Sequence, residues 1–103
     1  MVLVSISLRA QPHKREEVLS AVDETAERMR RVPGCQRCRL FVDSEDPNAL
    51  TLASEWQSMP AAEAFVASRE FQILKGIRIL LRDQPAMVFD DVHARVTRLI
   101  VGR

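Results

Sequence analysis

The sequence predicts an α+β fold: an antiparallel sheet with its helices on one face. Three observations carry this. Val2 to Arg9 alternate as a half-buried strand does, a long segment near the N-terminus has helical apolar spacing, and a polar turn joins two further alternating runs. The chain has 103 residues, the size of one domain, read here as core 2–92 with a C-terminal extension 93–103. Such a domain can hold one hydrophobic core with little to spare.

In the first strand Val2, Val4, Ile6 and Leu8 point one way, and Ser5, Ser7 and Arg9 the other. Gln11-Pro12-His13 breaks it, with Pro12 placed near a helix start. From Lys14 to Arg31 apolar residues fall at Val18, Leu19, Val22, Ala26 and Met29, the spacing of a helix with one buried stripe. Acids lead this helix and arginines finish it, as the helix dipole prefers. Val32-Pro33-Gly34 stops it. Cys35 to Asp43 reads as a second strand, with Cys38, Leu40 and Val42 on one face. Ser44-Glu45-Asp46-Pro47-Asn48 is a turn, and Ala49 to Trp56 a third strand paired with the second as a hairpin.

Ser58 caps a helix from Met59 to Ala67, with Pro60 in its first turn. Ser68 caps another, carrying Phe71, Leu74, Ile77, Leu80 and Leu81, which Gly76 is placed to kink or split. Arg82-Asp83-Gln84-Pro85 is a break, and Ala86 to Val92 a fourth strand. Val96, Thr97, Ile100 and Val101 favour extended structure in the tail from His93, which is expected to cross to a partner sheet. The order β-α-β-β-α-β is the ferredoxin-like sandwich, with both helical segments on one sheet face. The other face carries Arg37, Arg39, Phe41, Thr51, Ala53 and Glu55, and a second copy of the sheet is its simplest cover.

Composition narrows the function. A formal charge of +1 argues against nucleic acid, and the cluster Arg28, Arg30 and Arg31 is accounted for by the helix end. No apolar run approaches the ~20 residues of a membrane span, and Met1–Leu8 is too short for an export leader. The cytoplasm is the expected compartment, and two cysteines there are expected as thiols. Cys35 and Cys38 are three apart on a strand, which places them on opposite faces, and zinc would need two further ligands. Asp90 and Asp91 likewise point to opposite faces.

Pro33-Gly34-Cys35, Phe41-Val42-Asp43, Asp46-Pro47-Asn48, Glu55-Trp56-Gln57-Ser58 and Ser68-Arg69-Glu70-Phe71, in that order and spacing, resemble the antibiotic biosynthesis monooxygenase family over about 2–92. The resemblance implies a dimeric α+β barrel of two ferredoxin-like subunits. Members include cofactor-free monooxygenases of aromatic polyketides, quinol oxidases, haem-degrading enzymes and proteins with no known reaction. In the first and third of these a tryptophan matching Trp56 lines the substrate pocket, which implies an aromatic wall with an indole N–H donor. Many relatives carry a histidine where this chain has Phe65, and the haem degraders supply an asparagine from the first strand, where only Ser5 and Ser7 are polar here. Haem degradation is therefore disfavoured. Glu55 matches a common acidic residue of the family and is expected to pair with Arg37 or Arg39. His13, at a helix start, and His93 have no visible catalytic partner, and there is no tyrosine.

The resulting expectation is a homodimer with an apolar pocket walled by Leu52, Trp56, Phe65, Phe71 and Leu74. Trp56 is the expected catalytic contact to a flat, electron-rich aromatic substrate such as a hydroquinone or anthrone. No metal or other cofactor is called for, since the substrate carbanion would itself reduce oxygen. A non-catalytic dimer that binds a flat apolar ligand explains the same residues.

Overall fold

The computed structural model describes residues 1–91. The tail expected to pair with a partner, with His93, lies outside the described residues. Four strands, β1 (Val2–Arg9), β2 (Cys35–Val42), β3 (Ala49–Trp56) and β4 (Ala86–Asp91), form one antiparallel sheet in the order β2-β3-β1-β4. The helices are α1 (Arg15–Met29), α2 (Met59–Val66) and α3 (Arg69–Lys75), followed by a 3-10 turn over Gly76–Leu80. This is the ferredoxin-like topology, with the two strands flanking the first helix separated by β3.

Alternation in β1 places Val2, Val4, Ile6 and Leu8 under the helices, all buried. They pair across the ladder with Trp56, Ser54, Leu52 and Leu50 of β3, so the two central strands supply one continuous floor. Val18, Val22, Ala26 and Met29 of α1, and Ala62 and Phe65 of α2, pack onto it as a single core. The Ser58 hydroxyl accepts from Ala61 N–H and the Ser68 hydroxyl from Phe71 N–H, which starts α2 and α3 where the sequence expected. Gly76 does split the second helical stretch, since α3 ends at Lys75 and tightens into the 3-10 turn. The first helix ends at Met29, two residues before the expected Arg31, in the turn that leads to Pro33-Gly34.

One expectation is overturned. The pairing steps from Cys35↔Trp56 to Arg37↔Glu55, leaving Gln36 as the extra residue of a β-bulge. The bulge restores Cys35 to the helix side, opposite Trp56, while Cys38 lies opposite Ser54 on that same side. The two cysteines therefore share a face. Gly34 precedes the bulge with φ +92°, and a Cβ there would sit 2.7 Å from that of Ala61. Glycine thus lets the start of β2 pass tightly under α2.

Candidate functional site

The helix layer fills unevenly across the sheet. Over β3 the packing is complete. Trp56 and Phe65 are both at zero exposure, their rings stacked at 5.2 Å, and Phe71 meets Phe65 edge-on at 5.4 Å. The indole N–H of Trp56 donates to Ser54 Oγ at 2.8 Å, and the Ser54 hydroxyl donates to the Val4 carbonyl at 3.3 Å. A buried indole N–H needs an acceptor, and a serine two residues back on the same strand face provides one.

Over β1 and β4 the layer is incomplete. A cavity of about 290 Å³ opens between the sheet and the second helical region. Its floor is Ile6 and Leu8 of β1 with Met87 of β4, which pairs with Ile6. Val66 of α2 and Phe71, Leu74 and Lys75 of α3 form the facing wall, and Pro85 closes one side. The surface is almost wholly apolar, and among the described residues Lys75 carries its only ionisable group. This volume lies near the lower end of small-molecule sites.

Of the five residues expected at the pocket, Phe71 and Leu74 line this cavity. Leu52, Trp56 and Phe65 lie in the core beside it, fully buried. Phe71 touches the cavity, Phe65 backs Phe71, and Trp56 backs Phe65. Ile6, Leu8, Val66, Lys75, Pro85 and Met87 were not expected as lining. Lys75 had a visible signal, since it stands four residues after Phe71 and so on the same helical face. Met87 had none, because its place depends on the register in which β4 pairs with β1.

Two other concavities differ in character. A wider groove of about 630 Å³ at the sheet rim is lined by Arg9, Asp43, Ser44, Thr51, Asp83 and neighbours, and Arg9 there is ion-paired with Asp46 at 3.9 Å and Asp83 at 3.6 Å. A shallow one of about 180 Å³ lies on the open sheet face among Leu3, Arg37, Arg39, Phe41, Ala53 and Glu55. Arg37 reaches Glu55 at 3.9 Å, which accounts for the acidic residue at the end of β3 as a cross-strand partner.

The cysteines are poor nucleophiles. Burial raises the Cys35 thiol above its ordinary pKa. Burial and then the neighbouring Cys35 push Cys38 up to about 11, against the pull of Arg30. Cys38 Sγ rests 3.8 Å from Met29 Sδ inside the core. Asp90 and Asp91 pair with Leu3 and Val2, on opposite faces. His13 is exposed in the turn before α1, and no cluster of His, Cys, Asp or Glu among the described residues could hold a metal ion.

Fold and cavity together define a class: a ferredoxin-like α+β domain with an apolar ligand-sized space between sheet and helices. The chain belongs to the antibiotic biosynthesis monooxygenase family, whose pattern residues 1–74 match. A solved structure of an antibiotic biosynthesis monooxygenase is similar at 27% identity and TM-score 0.82, covering 89% of this chain and 98% of that one. A protein of the same description from Nitrosomonas europaea has the same fold at 16% identity and TM-score 0.84, over 90% of this chain and 99% of that chain. A Natronomonas pharaonis protein named for heme binding is 31% identical over 80 residues, which take in 77% of this chain. The matched stretch is 13% of that protein's length. No helix of the described residues is long and apolar enough to cross a membrane.

Proposed function

We propose that this chain is a cofactor-independent monooxygenase acting on a small electron-rich aromatic, of hydroquinone or anthrone type, bound in the cavity beneath α2 and α3. The observation that carries this reading is the apolar space of about 290 Å³ walled by Phe71 and Leu74 and backed by the Phe65–Trp56 stack. An anthrone CH₂ loses one proton to solvent at the cavity mouth. The resulting carbanion passes an electron to O₂, and the radical pair combines through a new C–O bond. The peroxide anion takes one proton back from solvent, and loss of the second C–H proton as the O–O bond breaks leaves C=O and water, so one oxygen atom enters product and one leaves as water. The electrons come from the substrate. The protein excludes water and holds the ring against Phe71. In this account Trp56 is a positioning residue that acts through Phe65, and Leu52 is part of the supporting core.

Haem is the other ligand that the relatives suggest. Haem iron takes His, Cys thiolate or Tyr, or Met alongside His. Among the described residues the cavity lining offers a thioether, Met87, and none of the other donors, so this lining does not fit haem.

The absence of an acid–base pair from the lining favours one second reading, a dimer that binds a flat apolar ligand without turning it over. Oxygen uptake with a panel of hydroquinones and anthrones separates the two. Uptake above the spontaneous rate, with one labelled oxygen atom in the product, is the result expected of the enzyme. Stoichiometric binding without uptake would replace it with the binding module.

The open sheet face is proposed to pair with a second copy. Phe41 stands 50% exposed and Val88 49% exposed there, a large apolar presence for a free surface. A solution mass near twice 11.7 kDa is expected. A monomer at micromolar concentration would remove the pairing.

A further inference from the structure

We infer that the cavity selects an organic anion: a flat apolar body bearing one acidic oxygen group, whose charge sits against Lys75. The inference rests on the cavity being the ligand site and adds the charge of the ligand.

Among the described residues Lys75 is the sole ionisable one in an otherwise apolar lining, at the exposed end of α3. Its ammonium lies 5.9 Å from the centroid of the Phe71 ring, and Phe71 is itself a wall of the cavity. That contact favours side-chain positions over the mouth. Among the described residues no carboxylate lies within 4 Å of Lys75; Arg31, Arg39, Arg69, Arg78 and Arg82 share that state, but none of them lines this cavity. Lysine is also a compact point charge that suits a single oxyanion.

An unpaired cation at the rim of a low-dielectric space is complementary to an amphipathic anion. The ring enters the cavity and the oxyanion meets the ammonium at the edge, where water is partly excluded and the attraction exceeds that between two solvated charges. Cations of the same shape are repelled, which gives selectivity as well as affinity. Aryl carboxylates, sulfonates and phenolates share this chemistry. If the proposed oxygenation holds, the phenolate or enolate form of the substrate is the anion concerned, and Lys75 favours that reactive form.

The test uses two fluorescent dyes of one shape, the anionic 1-anilinonaphthalene-8-sulfonate and the neutral N-phenyl-1-naphthylamine. Lys75 is exposed, so its replacement leaves the fold intact. The Lys75→Gln variant is expected to bind the anionic dye about fivefold more weakly and the neutral dye within about twofold of the original, a difference suited to one solvent-edge charge pair. Lys75→Arg should restore the anionic dye. Raising salt to about 0.5 M should weaken the anionic dye alone, by screening. Equal effects of Lys75→Gln on both dyes, or none on the anionic one, would overturn the selection of anions while leaving the cavity as a ligand site. Failure of both dyes to bind the original protein would overturn the cavity reading, and this inference with it.

Discussion

Over β3 the helix layer is filled; over β4 it is not. On the first side Trp56, Phe65 and Met29 are fully buried and the one indole N–H has its acceptor. On the second, Met87 is 38% exposed beside a hollow lined by apolar side chains and Lys75. The same sheet carries both, and the difference follows from strand order. β3 lies between β2 and β1 under the helices, whereas β4 is an edge strand among the described residues, and the hollow opens over it and the adjoining Ile6 and Leu8 of β1. The filled half defines a unique fold, because close packing tolerates few alternatives. The hollow half leaves room for a ligand at little cost to that packing.

Truncation gives the largest expected contrast. Phe65→Ala removes the ring between Trp56 and Phe71 and should cost about 3 to 5 kcal/mol of unfolding free energy, as large aromatic-to-alanine changes in cores do. Urea denaturation checks this. A loss below about 1 kcal/mol, the level of a surface change, would mean that the aromatic tier is not closely packed and that the two halves are alike.

A smaller effect tests the filled half through ionisation. Cys38 sits in it with its pKa pushed up from 9.0 to about 11. A raised thiol pKa means that the unfolded chain gives up its proton first as pH rises. Stability from this group is therefore whole below pH 9 and falls between pH 9 and pH 11. At about 1.4 kcal/mol per pH unit the loss reaches on the order of 2 kcal/mol. Comparing the pH dependence of urea unfolding for the original chain and Cys38→Ala isolates it. Parallel curves up to pH 10.5 would show that Cys38 is not held away from solvent.

Much of the filled half was legible in the sequence, and little of the hollow half was. The alternation of Val2, Val4, Ile6 and Leu8 is a local signal and names the floor directly. Ser58 and Ser68 as caps follow from residue type and position, and the structure places both hydroxyls on the expected N–H groups. The face of Cys35 was misread because a period of two assumes an unbroken ladder, and one extra residue at Gln36 reverses it. The acceptor for Trp56 was available as the i−2 serine. The cavity was not available, since a void belongs to no residue. It arises where α3 ends at Lys75 beside β4, and Phe71, Leu74 and Lys75 signalled it through helical spacing.

The smallest effect on stability is expected at the hollow half, and there binding is the sharper readout. Met87 lies on the cavity floor opposite α3, paired with Ile6 across the ladder and already 38% exposed. Met87→Ala removes a flexible side chain that few neighbours enclose, so its cost in unfolding free energy should stay near 0.5 kcal/mol, roughly that of a surface change. The thioether and its methylenes would however form part of the surface that a flat ligand covers. Affinity for the neutral naphthylamine dye should therefore fall about threefold, as expected for partial loss of one buried side chain's apolar contact. This reverses the pattern expected of Phe65→Ala, in which stability falls first. A several-kcal/mol loss from Met87→Ala with dye affinity intact would show that β4 is packed as β3 is, and that the dye sits elsewhere.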